Sequence, residues 1–420
     1  MTVKNRLYVV SVGPGDAEQL TLAAGRILKT SDCLVLAKRH LPLAGGHGNV
    51  ELMGSRPVEA FPMIERRLSK GSVAVAVSGD AGVFSLLPRL REHFSDLDIT
   101  VIPGVSSLQS LSAALCETWE DAEIVSVHGR DVSPSKVAGI VAHNRKTVFF
   151  CGPDRDPAWL CRVLTERGMN DLEVAVGERL SCPDGRVVRG SPSDLCGRVF
   201  DALSVVRVRN PEPLPPFPSR PEDEEFLRSG ESARIPMTRG EVRTIVLDQL
   251  RLTPDSVVWD IGAGTGSVSV ACARLCPWGD VHAVERSEDA AALLRRNREK
   301  FGAYNLWVHE GNAASLLRSL PRPTHVFVGG SGGELRRILE HVGGLGKLDQ
   351  FGKSIRVVVS GVTLETICVA HEVLCGADFR GPDVLQVAVS RSRVVGNSVI
   401  MAAQNPVTLL SAWTRGGVES

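Results

Sequence analysis

Val257-Val258-Trp259-Asp260-Ile261-Gly262-Ala263-Gly264-Thr265-Gly266 is an apolar, β-branched run that stops on three glycines at alternate positions. Such a run reads as a buried strand, and the glycines after it allow a tight turn and a close approach of backbone to ligand. A helix is expected from Ser267, so strand, glycine loop and helix stand in the order of a nucleotide loop. The third glycine of a dinucleotide fingerprint would fall at position 267, where the chain has serine, which disfavours a nicotinamide cofactor and its pyrophosphate. S-adenosylmethionine, with its carboxylate, amino group and sulfonium, suits the loop better. Asp260 at the strand mouth is expected to meet the cationic end, with Gly262, Ala263, Gly264, Thr265 and Gly266 as the cradle. Glu285, at the end of the next strand, is placed to accept hydrogen bonds from both ribose hydroxyls. Asn312 follows the third strand, where such domains usually place an acidic residue near the adenine amine; its carbonyl can accept the same hydrogen bond without the charge.

Strands are expected around this loop at Ser256 to Ile261, Val281 to Glu285, Trp307 to Glu310, His325 to Val328, Ile355 to Ser360, Val384 to Val389 and Val399 to Ala403. The last two lack an intervening helix and should close the sheet as an antiparallel hairpin. A nucleobase methylase would need a polar, aromatic-flanked motif after the fourth strand to hold a flipped base. That position reads Val328-Gly329-Gly330-Ser331-Gly332-Gly333, a small-residue loop that leaves room for a large ligand.

Upstream, residues 209–230 carry repeated prolines, which remove backbone donors and favour an extended chain. They read as a linker between domains at 1–208 and 231–420, each of ordinary domain size. The first half also alternates short β-branched runs with amphipathic stretches, so both halves are α/β, with mostly parallel sheets expected. Its strands are expected at Leu7 to Val12, Cys33 to Ala37, Ser72 to Val77, Ile99 to Ile102, Glu123 to Val127, Thr147 to Cys151 and Glu173 to Val176. Helices should run from Gly82 to Phe94 and from Ser107 to Leu115.

Lys+Arg and Asp+Glu are equal at 48 each, so no long-range field gathers nucleic acid or an anionic membrane. No apolar run approaches the roughly 20 residues that span a bilayer, and the N-terminal apolar run is too short for a secretory signal. A soluble, cytoplasmic protein without a nucleic-acid or membrane partner is expected. Cysteines such as Cys33, Cys151, Cys272 and Cys368 lie scattered in apolar elements and read as reduced, buried thiols. Cys272 and Cys276 stand four apart without a nearby histidine, and no metal site is expected there.

Three glycine loops follow strands of the first half: Gly13-Pro14-Gly15-Asp16, Ser78-Gly79-Asp80-Ala81-Gly82, and Pro103-Gly104-Val105-Ser106-Ser107. Strand C-termini are where open α/β sheets bind ligands. In this order and spacing the loops resemble those of the tetrapyrrole methylases, and Val127-His128-Gly129-Arg130 is similar to the branch acting at C5 of late precorrins. The second half resembles the C15-methylating, C12-decarboxylating precorrin enzymes. It does so through Pro236-Met237-Thr238-Arg239-Gly240-Glu241-Val242-Arg243, Trp259 to Ser269, Gly329 to Gly333, Val362-Thr363-Leu364-Glu365 and Gln404-Asn405-Pro406-Val407-Thr408.

The resemblance implies a tetrapyrrole-methylase fold of two α/β lobes followed by a class I Rossmann-like methyltransferase domain. It implies two S-adenosylmethionine sites, the first lined by Pro14, Ser78, Gly79, Asp80, Val83, Ser106, Ser107 and Cys151. The second would be lined by Thr238, Gly262 to Gly266, Glu285, Asn312 and Ala313. Homo-oligomers are also implied. Two positions depart from the family: Arg239 stands where lysine is more common, and Ser360 where an asparagine commonly precedes Val-Thr-Leu-Glu. The implied activity is methylation of a precorrin at C5 and C15 with decarboxylation of the C12 acetate, in cobalamin biosynthesis. A substrate with many carboxylates calls for local cations in a chain of zero net charge. The candidates are His128 and Arg130 in the first domain and Arg239, Arg243, Arg391 and Arg393 in the second, with Gly330 leaving space beside them. Two other functions compete: methylation of RNA or protein, against which stands the lack of a basic stripe, and a non-catalytic scaffold, against which stand intact loops in both halves.

Overall fold

The apolar runs of the N-terminal half form two five-stranded sheets. The computed structural model describes residues 6–54, 56–180, 182–215, 221–228, 235–347 and 353–416. In the first sheet β1 (Leu7–Ser11), β2 (Cys33–Ala37), β3 (Val50–Met53), β4 (Val73–Val77) and β5 (Ile99–Ile102) run parallel in the order β3-β2-β4-β1-β5. β4 is buried throughout, as a strand covered on both faces must be. Because β1 lies between β4 and β5, the three glycine loops that follow these strands are neighbours.

The second sheet holds β6 (Glu123–Ser126), β7 (Lys146–Phe150), β8 (Glu173–Glu178), β9 (Arg186–Gly190) and β10 (Ser204–Arg209), ordered β6-β7-β10-β8-β9. Only β6 and β7 pair in parallel, so this sheet departs from the mostly parallel expectation. The helix expected over Gly82 to Phe94 runs only over Leu87–His93. Asp80 Oδ1 accepts from Gly82 N (2.7 Å) and Phe84 adopts φ 47°, so a turn replaces the first part of the helix.

The third sheet has seven strands in the order β13-β12-β11-β14-β15-β19-β16. Its parallel part is β11 (Val258–Ile261), β12 (Val281–Glu285), β13 (Leu306–Glu310), β14 (His325–Val328) and β15 (Arg356–Gly361). β16 (Phe379–Val387) and β19 (Val407–Thr414) close it antiparallel. The expected closing hairpin is therefore corrected: the Val399 strand does not pair with the Val384 strand. It forms β18 (Ser398–Ala403), paired with β17 (Ser390–Val395) in an exposed two-stranded ribbon. Val407–Thr414 takes the buried position instead, although its Thr and Ser residues hide the apolar pattern.

The chain divides into two compact units, Met1–Asp131 with Asn144–Pro211, and Val132–His143 with Glu212–Ser420. The helix Pro134–His143 thus belongs to the second unit, where a Cβ on Gly139 would lie 1.9 Å from the Pro277 carbonyl oxygen. Of the stretch read as a linker, residues 216–220 and 229–230 lie outside the described residues. Within its described part, Phe226 is buried in the core around β11 and β12. Burial of such a ring stabilises by about 1.5–3 kcal/mol, one of the contacts that hold this segment against the second unit. Among the described residues no helix is long and apolar enough to cross a membrane. Cys33, Cys151 and Cys272 are buried as expected, whereas Cys368 is exposed on its helix.

Candidate active sites

In the second unit the strand order reverses between β11 and β14, and a cleft of about 980 Å³ opens at their C-terminal ends. Gly262, Gly264 and Gly266 all have positive φ, at 73°, 57° and 79°. A Cβ on Gly262 would lie 2.3 Å from the Gly330 carbonyl oxygen, and one on Gly264 2.6 Å from the Pro236 carbonyl oxygen. Only glycine permits this packing of one backbone on another. Gly262, Ala263 and Gly264 line the cleft with Thr238, Glu285, Asn312, Ala313 and Gly330.

Glu285 accepts from Gly264 N and from Ser287 N, both at 2.9 Å, one bond to each carboxylate oxygen. Each oxygen keeps a further lone pair for a ribose hydroxyl. The residues therefore fit an adenosyl group: a glycine cradle free of side chains, an oriented carboxylate and an amide at the far corner.

Thr265 and Gly266 lie behind this surface. The Thr265 carbonyl accepts from Asn297 Nδ2 (2.9 Å), and Gly266 lets Leu294 pack against the start of the helix Ser267–Leu275. Asp260 is also corrected. It is fully buried and accepts from Ser269 Oγ beneath the loop, so it braces the helix and does not line the cleft. Burial pushes its carboxyl up to about 7, against the opposing Ser269 bond.

A carboxyl raised in the folded state favours folding while it is protonated, and that contribution is lost as pH rises from about 4 through about 7. Asp260→Asn keeps an acceptor for Ser269 but does not titrate. The variant is expected to lose this part of the pH slope and to exceed the wild-type denaturation midpoint above pH 7. Urea titrations at pH 5 and 8 check this; parallel slopes in variant and wild type would refute the assignment.

Of the arginines, Arg239 lines the cleft, as does Ser360. Arg243 does not, and this corrects its placement as a substrate contact. It is fully buried, with Nη1 3.0 Å from Asp223 Oδ1 and 2.9 Å from the Thr238 carbonyl, and Nη2 2.7 Å from the Pro221 carbonyl. Arg391 and Arg393 lie on β17 outside the cleft lining, and Arg391 Nε donates to Glu241 Oε1 at 2.5 Å. Two residues in the lining escape sequence reasoning. Arg286 lays its guanidinium over Gly332, where a Cβ would be 2.6 Å from Nη1, and Glu334 accepts from Asn312 Nδ2 at 2.6 Å. The position of Arg286 directly after Glu285 is the signal that could have marked it.

In the first unit the glycine loops meet at the strand ends. Gly13 and Gly79 form a two-way backbone bridge, at 3.1 and 2.7 Å. Asp80 ties the β4 loop to the β5 loop by accepting from Gly104 N at 2.8 Å, and a Cβ on Gly104 would lie 2.6 Å from the Ser11 side chain. Pro14 and Val83 stand half-buried beside this junction. Ser106 caps the helix Ser107–Leu115 through a reciprocal bond with Gln109, so its hydroxyl serves the helix end.

Ser78 Oγ accepts from Arg39 Nη2 (2.6 Å) and lies 2.8 Å from Nε2 of the buried His40. Arg39 Nε also donates to His40 Nε2, so that nitrogen acts as an acceptor and His40 is neutral; burial pushes its pKa down to about 4. Neither residue was singled out from the sequence. Phe84 carries the β4 loop to the second lobe, where its ring meets Phe150 edge-on at 5.5 Å and Arg130 sits over it at 4.8 Å. His128 occupies the space left by the missing side chain of Gly152, where a Cβ would lie 2.1 Å from its Nδ1. Cys151 is buried beside it in sequence, and burial pushes its thiol well up, which keeps it protonated. Ser78, Val83, Arg130 and the end of β7 are thus brought to one side of the unit through Phe84.

Parallel strands ending in glycine loops in both units, with Glu285 closing the second strand of one, place the chain in the α/β nucleotide-loop class to which methyltransferases belong. Residues 6–196 match the tetrapyrrole (corrin/porphyrin) methylases, and residues 232–414 match the precorrin methyltransferase domain. The chain is 39% identical over 195 residues to a probable cobalt-precorrin-6B C(15)-methyltransferase (decarboxylating) of Pyrobaculum calidifontis, covering 46% of this chain and 94% of the relative. It is 25% identical over 417 residues to a precorrin-6Y C(5,15)-methyltransferase (decarboxylating) of a Sinorhizobium species, covering 98% and 96%. A crystal structure of precorrin-6y C5,15-methyltransferase from Geobacter metallireducens is 35% identical with a TM-score of 0.41, covering 46% of this chain and 94% of that one. The chain belongs to the precorrin methyltransferase family and is a methyltransferase.

Proposed function

We propose that this chain methylates a late precorrin twice from S-adenosylmethionine, at C5 in the first unit and at C15 in the second, and decarboxylates the C12 acetate in the second. The observation that carries the reading is the 980 Å³ cleft, where a side-chain-free glycine cradle and an anchored Glu285 stand beside Arg239 and Arg286. S-adenosylmethionine, when bound, supplies an electrophilic methyl group. Thr238, the Gly262–Gly264 backbone, Glu285 and the Asn312–Ala313 corner would hold it in the second unit. Pro14, Ser78, Gly79 and Asp80 would hold it in the first.

Alignment of donor and acceptor away from water supplies most of the acceleration for such a displacement, since an electron-rich ring carbon needs no activated nucleophile. The titratable side chains that line the second cleft are Arg239, Glu285, Arg286, Asp289 and Glu334. The arginines match substrate carboxylates in charge and fork geometry. Loss of carbon dioxide from the acetate leaves an electron pair that the conjugated ring accepts and a position that takes one proton from water. Arg239 and Arg286 orient the carboxylates. The work of the chain is thus to bind both ligands, align them and keep water from the methyl group. We also propose a cytoplasmic homo-oligomer; for self-association the exposed Val394, Val399 and Met401 on the β17–β18 ribbon are support.

Separating the halves tests the proposal. Glu285→Ala is expected to yield a singly methylated tetrapyrrole with its acetate intact, by mass spectrometry. The same double product as wild type would contradict the assignment of the second cleft. Arg239→Ala is expected to raise the precorrin Kd about tenfold, the loss of one charge-assisted bond, while the Kd for S-adenosylhomocysteine changes less than twofold. An unchanged precorrin titration would remove Arg239 from the substrate surface.

A further inference from the structure

Asn312 occupies the N-cap of the short helix Ala313–Leu316, yet its side chain makes no capping bond. An asparagine in that place ordinarily accepts from the backbone N–H two or three residues on. Here Nδ2 instead donates to Glu334 Oε2 at 2.6 Å. The direction of this bond is unambiguous, because an ionised carboxylate only accepts. The amide is therefore held one way round, with Nδ2 committed and Oδ1 left as the acceptor, and both residues line the cleft. Glu334 is itself held: its other oxygen, Oε1, accepts from Arg337 Nη1 at 3.1 Å, in the first turn of the helix Leu335–Lys347 that follows it. Its loop is held by Arg286 lying on Gly332.

We propose that Glu334 is a positioning residue that locks the Asn312 amide, so that Asn312 Oδ1 selects a purine carrying an exocyclic amine. The assignment rests on the second cleft binding an adenosyl group. In place of one acidic residue at the adenine corner, the chain uses an amide for the contact and a carboxylate from the next loop to fix its orientation. Without Glu334 the amide is free to turn over. It then accepts from an amine or donates to a carbonyl with little preference.

The test compares calorimetric binding of S-adenosylhomocysteine with that of S-inosylhomocysteine, in which a carbonyl acceptor replaces the amine donor. Titrations use the full chain, and the binding that disappears in Glu285→Ala defines the second site. Wild type is expected to prefer the adenosyl ligand there by about tenfold, the scale of one hydrogen bond. Glu334→Ala should bring the ratio to about twofold or less. Glu334→Gln should fall between, since its carbonyl can still accept from Nδ2 while its own amide can also turn. A Glu334→Ala ratio equal to wild type, or an equal loss of affinity for both ligands, would overturn the lock. If no binding at all is lost in Glu285→Ala, the adenosyl assignment of the cleft fails first, and the lock with it.

Discussion

Gly262→Ala is expected to abolish chemistry in the second unit while leaving the first at work. The residue has φ 73°, and its added methyl would meet the Gly330 carbonyl oxygen at 2.3 Å and the Gly330 nitrogen at 2.6 Å. Both are backbone atoms, and Gly330 N is itself bonded to the Ile261 carbonyl at 3.2 Å, so neither loop can yield alone. Left-handed backbone costs a non-glycine residue on the order of 1–3 kcal/mol before any clash is counted. Together these predict a roughly hundredfold or greater loss of S-adenosylhomocysteine affinity at the second site. C15 methylation and carbon dioxide release should vanish, and C5 methylation should persist. Gly330→Ala is the control for S-adenosylhomocysteine affinity alone, since its methyl would meet only the Gly262 α-carbon at 3.8 Å. Affinity within threefold of wild type for Gly262→Ala would contradict the cradle.

The second large effect concerns stability. Arg243→Met should destabilise the second unit by about 3–5 kcal/mol, because it strands Asp223 without its buried charged partner and removes the donor to the Pro221 carbonyl and one of the two donors to the Thr238 carbonyl. The guanidinium also lies 5.0 Å from the centre of the Phe226 ring, so the substitution loosens the segment it pins. Urea denaturation followed through second-unit fluorescence reads the change. Adding Asp223→Leu should restore part of the loss, as replacement of both partners by apolar groups does. A substrate-binding arginine would behave in the opposite way, with an unchanged midpoint and a weakened precorrin titration.

The strand-loop-helix units were legible wherever apolar pattern and glycine punctuation coincide. Val258–Ile261 with its loop, Val281–Glu285 and the helix Ser107–Leu115 lie where the sequence places them. Among the antiparallel strands, Glu173–Glu178 and Ser398–Ala403 were also legible, whereas β10 and β19 were not. β10 (Ser204–Arg209) alternates valine with arginine yet is buried on both faces, because Arg207 pairs with Glu117 and Glu173. β19 hides its burial behind Thr408, Ser411 and Thr414; the Ser411 hydroxyl meets Arg356 and the Thr414 hydroxyl meets Ile355 N, both distant in sequence.

Site residues divide by the same rule. Glycines and Glu285 announce themselves by their place after strands. Charged side chains do not, since sequence cannot say whether an arginine meets a ligand or a neighbour. Arg243 and Arg391 found Asp223 and Glu241, whereas Arg239 and Arg286 are left at the cleft. Asp260 shows the same limit for acids: a position at a strand mouth did not reveal that the side chain turns inward to Ser269.

The most direct test is the mass of the product formed when the full chain is incubated with methyl-labelled S-adenosylmethionine and a late precorrin. Two labelled methyl groups gained, with one carbon dioxide lost, is the expected result. A single methyl group with the acetate intact, or label found in RNA or protein with the tetrapyrrole unchanged, would contradict it.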